Sequence, residues 1–168
     1  MRYDQLLQRQ ATTEWLAKHT DSFTHAVTLT FKPYRTVMTE RGQCNEQLTH
    51  EKATQDVRHF INRVNAEFYG QNAKRNGYSI TLVGAFEGEA TNKLMHYHCA
   101  IGNLPANVSA AEAYKKIASA WHLTRFGNEQ VHVQAMTTTG WLGYISKDVG
   151  RKDADVIDWE NVRLQKAA

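Results

Sequence analysis

The chain has 168 residues, 42% of them hydrophobic and 22% charged, and carries a formal net charge of +3. That length suits one domain with a sizeable core, and the absence of charge blocks, low-complexity runs or an apolar stretch of membrane-spanning length argues against a disordered or bilayer-spanning protein. Cys44 and Cys99 are too few for a disulfide framework, and the polar start at Met1-Arg2-Tyr3-Asp4-Gln5 lacks a signal-peptide core, so a soluble cytoplasmic protein with reduced thiols is expected.

Residues 3 to 19 read as a helix with Tyr3, Leu7, Ala11 and Trp15 on one stripe at spacing four. The period then changes: residues 23 to 31 alternate, with Phe23, His25, Val27, Leu29 and Phe31 on one side of a strand that Pro33 ends. A polar loop is expected to about residue 47. Thr49 then caps a long helix whose apolar stripe is Val57, Phe60, Ile61, Val64 and Phe68. Gly70 and the polar segment to Gly77 break that helix, and residues 78 to 86 read as a second strand. Residues 88 to 93 make a turn, and 94 to 102 return as a hairpin partner. A helix from Ser109 carries Tyr114, Ile117 and Trp121, with Gly127 as its stop; residues 131 to 136 form the fourth strand, and a short helix spans about 138 to 148. The order β, α, β, β, α, β predicts an α+β fold, a ferredoxin-like split βαβ antiparallel sheet with both helices on one face. To it are added the N-terminal helix, the late helix, and a tail from Gly150 whose Val156, Ile157, Trp159, Val162 and Leu164 are apolar enough to dock on its own sheet or on a second subunit.

The chemistry concentrates at Met95-His96-Tyr97-His98-Cys99-Ala100-Ile101. On a strand, residues i and i+2 share a face, so His96 and His98 project together while Tyr97, Cys99 and Ile101 turn to the core. Glu87, at the end of the preceding strand, completes two nitrogens and one oxygen, a set suited to a divalent cation with open positions; Glu89, two residues on, competes for that role. Downstream, Tyr144, Lys147 and Asp148 lie at i, i+3 and i+4, along one side of the short helix. A phenol with a reference pKa of about 10 is a weak nucleophile until a cation stabilises its anion, which Lys147 or a bound metal can do. An aryl phosphate keeps the energy of the cleaved bond, so a tyrosine suits cutting and rejoining better than one-way hydrolysis. Basic residues gather at Lys32, Arg35 and Arg41, at Lys74 and Arg75, and at Lys147, Arg151 and Lys152, interleaved with Tyr34, Tyr78 and Trp141, a mixture that fits phosphates and stacked bases.

Three segments in this order resemble the motifs of the HUH endonucleases, and within them the rolling-circle replication initiators. Val27-Thr28-Leu29-Thr30-Phe31 is similar to their first, hydrophobic strand, His96-Tyr97-His98 to the second motif with Gly84 to Gly88 upstream, and Tyr144-Ile145-Ser146-Lys147 to the third. The resemblance spans about residues 23 to 148. It implies Tyr144 as nucleophile, Lys147 as its assistant, His96, His98 and Glu87 as ligands of Mg²⁺ or Mn²⁺, and single-stranded DNA from an origin or hairpin as substrate. Lys32, Arg35, Trp141 and Arg151 are the residues expected to track that strand. No GxxxxGK[ST] loop occurs, so a separate helicase is implied, and Asp148 stands where a second tyrosine would make a two-nucleophile enzyme. A single-tyrosine transposase and a non-catalytic single-strand-binding module remain as alternatives, and a viral or eukaryotic origin would move the site of action to the nucleoid or nucleus.

Overall fold

A computed structural model describes residues 3–88, 94–150 and 156–164. The elements are α1 (Tyr3–Lys18), β1 (His25–Phe31), β2 (Tyr34–Thr39), β3 (Gly42–Gln47), α2 (His50–Tyr69), α3 (Gln71–Arg75), β4 (Thr81–Glu87), β5 (His96–Gly102), α4 (Ala110–His122), β6 (Gly127–Ala135) and α5 (Gly140–Ile145). Four strands form one sheet in the order β4-β5-β1-β6, every neighbouring pair antiparallel. It follows that β1 runs parallel to β4 with β5 between them, and β5 parallel to β6 with β1 between them. This is the split βαβ arrangement, with α2 and α4 as the two crossovers, and the α+β fold is the one expected.

Both crossover helices lie on one face. Val57, Phe60, Ile61 and Val64 of α2 and Ile117, Ala120 and Trp121 of α4 are buried with Val27, Leu29, Phe31, Tyr97, Cys99 and Ile101 of the sheet in the main core. Thr49, the cap expected from sequence, accepts from the Lys52 amide, and Ser109 caps α4 by accepting from the Glu112 amide. Asp56, fully buried on α2, accepts from the Phe126 amide at 2.7 Å and from Arg125 at 3.0 Å, and so ties α2 to the approach to β6. The opposite face carries a second, smaller core. There Leu16 of α1, Leu142 and Ile145 of α5, Val149 and Ile157 cover Val83, Ala85 and Ala100. These elements cover only part of the sheet. Beyond them, Thr28, His96, His98, His132 and Gln134 share the remaining part of this face, by register and strand alternation.

Several local expectations change, among them the fourth strand, which begins at Gly127 and not at 131. The segment 33 to 47 is a two-stranded ribbon, β2 paired to β3 from Tyr34↔Gln47 to Thr39↔Gly42, and not a loop. Neither of its faces enters a core, so the apolar alternation that marks a half-buried strand is missing. On α1 the buried residues are Thr12 and Leu16, while Tyr3 and Leu7 are 77% and 48% exposed. A stripe at strict spacing four drifts by about 40° per step around a helix of 3.6 residues per turn, so it cannot keep one face inward for three turns. The strand predicted from Tyr78 starts at Thr81, because the backbone before it is bound to side chains: the Ile80 amide donates to Asn65 and the Ser79 carbonyl accepts from Asn103. The late helix ends at Ile145, where the Ser146 hydroxyl turns back to the Leu142 carbonyl at 3.0 Å.

The tail lies on its own sheet. Leu82 and Arg163 exchange backbone hydrogen bonds of 2.8 Å, the Asp158 amide donates to the Gly84 carbonyl at 2.9 Å, and the Phe86 amide to the Val156 carbonyl at 3.1 Å. These bonds cover the β4 edge, which would otherwise offer unpaired amides to another chain. The tail also reaches inward. Tyr97 donates to Asp158 at 3.3 Å, and Asn161 donates to Asp158 at 2.7 Å and to the Thr54 carbonyl of α2 at 3.0 Å. Burial of Asp158 pushes its carboxyl above the usual value against these bonds.

The Tyr97 ring passes over Gly84 so closely that a Cβ there would collide with its Cζ. Gly84→Ala is therefore expected to cost roughly 1–3 kcal/mol through forced repacking, read as a lower midpoint of chemical denaturation. A neutral result would mean that the ring can shift without strain.

Candidate active site

Glu87, His96 and His98 owe their proximity to the β4–β5 hairpin. Glu87 pairs with His96 in the ladder and Ala85 with His98, which puts the carboxylate and both imidazoles on the face away from α2 and α4. The rings of His96 and His98 are 6.1 Å apart and within 3° of parallel. As expected from sequence, Tyr97, Cys99 and Ile101 point the other way and are fully buried. β1 supplies the floor beside them. Thr28 stands opposite His98, and its hydroxyl lies 3.0 Å from His98 Nδ1. With Nε2–H donating to the Glu87 carboxylate, the neutral ring accepts at Nδ1 from the Thr28 hydroxyl, which fixes its orientation.

α5 closes the site from above. Trp141 anchors it by donating Nε1 to the Cys99 carbonyl at 2.9 Å, and its ring stacks on Tyr144 at 5.3 Å and 11°. Tyr144 in turn meets His98 edge-on at 5.1 Å. Three groups converge on one oxygen. Glu87 Oε2 lies 2.9 Å from His98 Nε2, accepts from Lys147 Nζ at 3.0 Å and accepts from the Tyr144 hydroxyl at 3.3 Å. Lys147 also sits 3.7 Å from the centre of the Tyr144 ring, a cation–π contact.

The electrostatics follow from that convergence. Burial alone would raise the Glu87 carboxyl, but the hydrogen bond and charge of Lys147, with His98 and Tyr144, hold it below its ordinary value. Burial would lower Lys147, yet Tyr144 and Glu87 hold it above its ordinary value, so it remains a cation. For His98 burial wins: desolvation, with the nearby His96 and Lys147, outweighs Glu87 and favours the neutral imidazole.

Neutral imidazole with a free lone pair is the form a metal ligand requires, and a hydrogen bond on the second ring nitrogen is its usual support. The donor set of His96, His98 and Glu87 thus fits a divalent cation. Among the described residues, however, no three His, Cys, Asp or Glu side chains stand together as a ligand set, and the Glu87 oxygen is bonded by Lys147 and Tyr144. Glu89 lies outside the described residues.

Other residues expected to act here are dispersed. Trp141 is half-buried and forms a wall of the site. Lys32 is exposed just past β1, with its amide bound to the Phe126 carbonyl at 2.7 Å. Arg35 lies on the ribbon, paired to Glu46 and placed over the Phe126 ring. Arg151 is outside the described residues. Sequence reasoning gave Thr28 no individual role. Its signal was its place in a central strand, which becomes legible only once β1 is known to lie beside β5. No protein-family model, curated protein or solved structure matches this chain.

Proposed function

We propose that this protein cuts and rejoins single-stranded DNA by transesterification through Tyr144, as a replication initiator of the HUH type would, with a separate helicase opening the duplex. One observation carries the reading: the Tyr144 hydroxyl, Lys147 Nζ and His98 Nε2 all meet at Glu87 Oε2. A phenol set beside an ammonium that can stabilise its anion, and oriented by a hydrogen bond to a carboxylate, is prepared for nucleophilic attack once its proton is lost.

In the step itself the Tyr144 oxygen forms a bond to phosphorus as the phosphorus–O3′ bond breaks. The phenolic proton is lost to solvent and the departing 3′ oxygen is protonated from solvent, leaving a 5′-phosphotyrosine. Lys147 holds the phenolate as it develops, and Trp141 and His98 fix the ring so that the oxygen is presented in one direction. Mg²⁺ or Mn²⁺, held by His96, His98 and Glu87, would polarise the scissile phosphate. Attack by the free 3′ hydroxyl of another strand reverses the step and rejoins DNA.

The test is incubation with single-stranded DNA and Mn²⁺ followed by a denaturing gel, on which a slower, protein-linked band is expected. Binding with no covalent band under any divalent metal would leave only a single-strand-binding module. A finer check concerns Thr28. Thr28→Val removes the partner of His98 Nδ1 and is expected to lower adduct formation roughly 10–100-fold at limiting Mn²⁺, with partial recovery as Mn²⁺ is raised. Unchanged metal dependence would show that the hydroxyl does not orient the ring.

A further inference from the structure

A cation of the chain itself already stands at the carboxylate of the candidate metal ligands. Lys147 Nζ lies 3.0 Å from Glu87 Oε2, on the oxygen that also accepts from the Tyr144 hydroxyl at 3.3 Å and lies 2.9 Å from His98 Nε2. Of His96, His98 and Glu87 only Glu87 is an anion, so a divalent cation and this ammonium compete for one negative charge. They also repel each other. With both in place Glu87 and Lys147 cancel, and the groups that meet at this oxygen leave the ion's own two charges uncompensated.

The ammonium is free to yield. Lys147 stands just past the end of α5, with its amide bonded to the Tyr144 carbonyl at 3.1 Å, and its side chain is 32% exposed, as is that of Glu87. An ion pair so open to water is weak, and the four-carbon stem lets Nζ swing while α5 stays where Trp141 pins it to the Cys99 carbonyl. Nζ is also 3.7 Å from the centre of the Tyr144 ring, so an anion brought up to the phenol lies within its reach.

We infer that Lys147 is an internal counter-cation for Glu87, which keeps divalent metal weakly bound until a DNA phosphate draws the ammonium away, so that metal and single-stranded DNA bind cooperatively. The inference rests on the metal and DNA reading above and adds an order of events to it. A phosphate at the phenol gives Lys147 a new anionic partner without taking it from the Tyr144 ring, and Glu87 is left to the ion. The coupling is reciprocal: the factor by which DNA tightens metal binding is the factor by which metal tightens DNA binding. The sign separates this from a packing role. A lysine that only held α5 in place would, once removed, loosen the site and weaken metal binding.

The experiment measures Mn²⁺ affinity of the full chain without DNA, from the electron paramagnetic resonance signal of the free ion. Lys147→Met is expected to bind Mn²⁺ at least about tenfold more tightly than the unmodified chain, and Lys147→Arg, which keeps the charge, as weakly as the unmodified chain. Coupling is then read with Tyr144→Phe, so that no bond can form, from the affinity for a labelled single-stranded oligonucleotide of mixed sequence with and without Mn²⁺. The variant that also carries His96→Ala and His98→Ala corrects for Mn²⁺ held by the DNA alone. Mn²⁺ is expected to tighten DNA binding at least about tenfold when Lys147 is present and less than about threefold when Met replaces it. Equal Mn²⁺ affinity in the Lys147→Met and unmodified chains, or a coupling that persists without the ammonium, overturns the inference. Mn²⁺ binding by none of these chains removes the metal centre and the inference with it. The adduct assay on the unmodified chain separates the two ideas. A Mn²⁺-dependent covalent band beside unchanged affinity in Lys147→Met removes the counter-cation role alone; tighter metal binding and DNA coupling with no band under any metal removes the nuclease and leaves the exchange at Glu87.

Discussion

Replacing Tyr144 by Phe is expected to reduce the covalent protein–DNA band to background, a loss of more than about 1,000-fold, with folding and single-strand affinity intact. The asymmetry comes from what the substitution removes. The ring stays, and with it the stacking on Trp141 and the edge contact with His98. Only the hydroxyl goes, and on this 39% exposed residue its 3.3 Å hydrogen bond is to a carboxylate that keeps Lys147 and His98. Stability should therefore move by no more than about 1 kcal/mol. The neighbouring hydroxyl cannot substitute, since Ser146 is buried and committed to the Leu142 carbonyl. A denaturing gel, a melting curve and a binding titration on the same preparation check the three statements. Survival of the adduct would transfer the nucleophile to another residue.

The largest expected effect on stability belongs to Trp121→Ala, at about 3–5 kcal/mol. Trp121 is fully buried where both crossover helices meet the sheet. Its ring packs edge-on against Phe31 at 4.8 Å and Phe60 at 5.7 Å, and its indole donates to the Thr30 carbonyl at 3.1 Å. Removing it opens a cavity between α2, α4 and β1 and leaves a buried carbonyl unpaired, two penalties that add. Trp121→Phe should fall between, keeping much of the packing but losing the donor. Urea denaturation measures both, and a loss below about 1 kcal/mol for Ala would mean that the helices close over the gap.

The same residues show how far a sequence can be read. Strand and helix types were legible where one side of an element is buried, as in the stripe of α2 or the alternation of β5, because burial writes its period into the chain. The ribbon, wet on both faces, wrote none. The pairing of His96 with Glu87 could be anticipated from a hairpin, since its register is local. The role of Thr28 could not, since it depends on β1 inserting between β5 and β6, which are distant in sequence. Likewise, α5 was visible as a helix with Tyr144 and Lys147 on one side, but nothing local said that Trp141 would pin it to the Cys99 carbonyl and bring both groups to Glu87. The position of the tail depended on which edge of the sheet lay bare, a property of the strand order alone.

That order has a temporal consequence during synthesis. Glu87 and both imidazoles belong to one hairpin and emerge from the ribosome early, but the central strand β1 is flanked by β5 and β6, and the phenol follows only after β6. Such distant pairings form slowly, because long loops must close before they are rewarded. An unfinished chain that ends before residue 144 therefore holds the imidazole pair without the Tyr144 hydroxyl on which the proposed attachment to DNA depends.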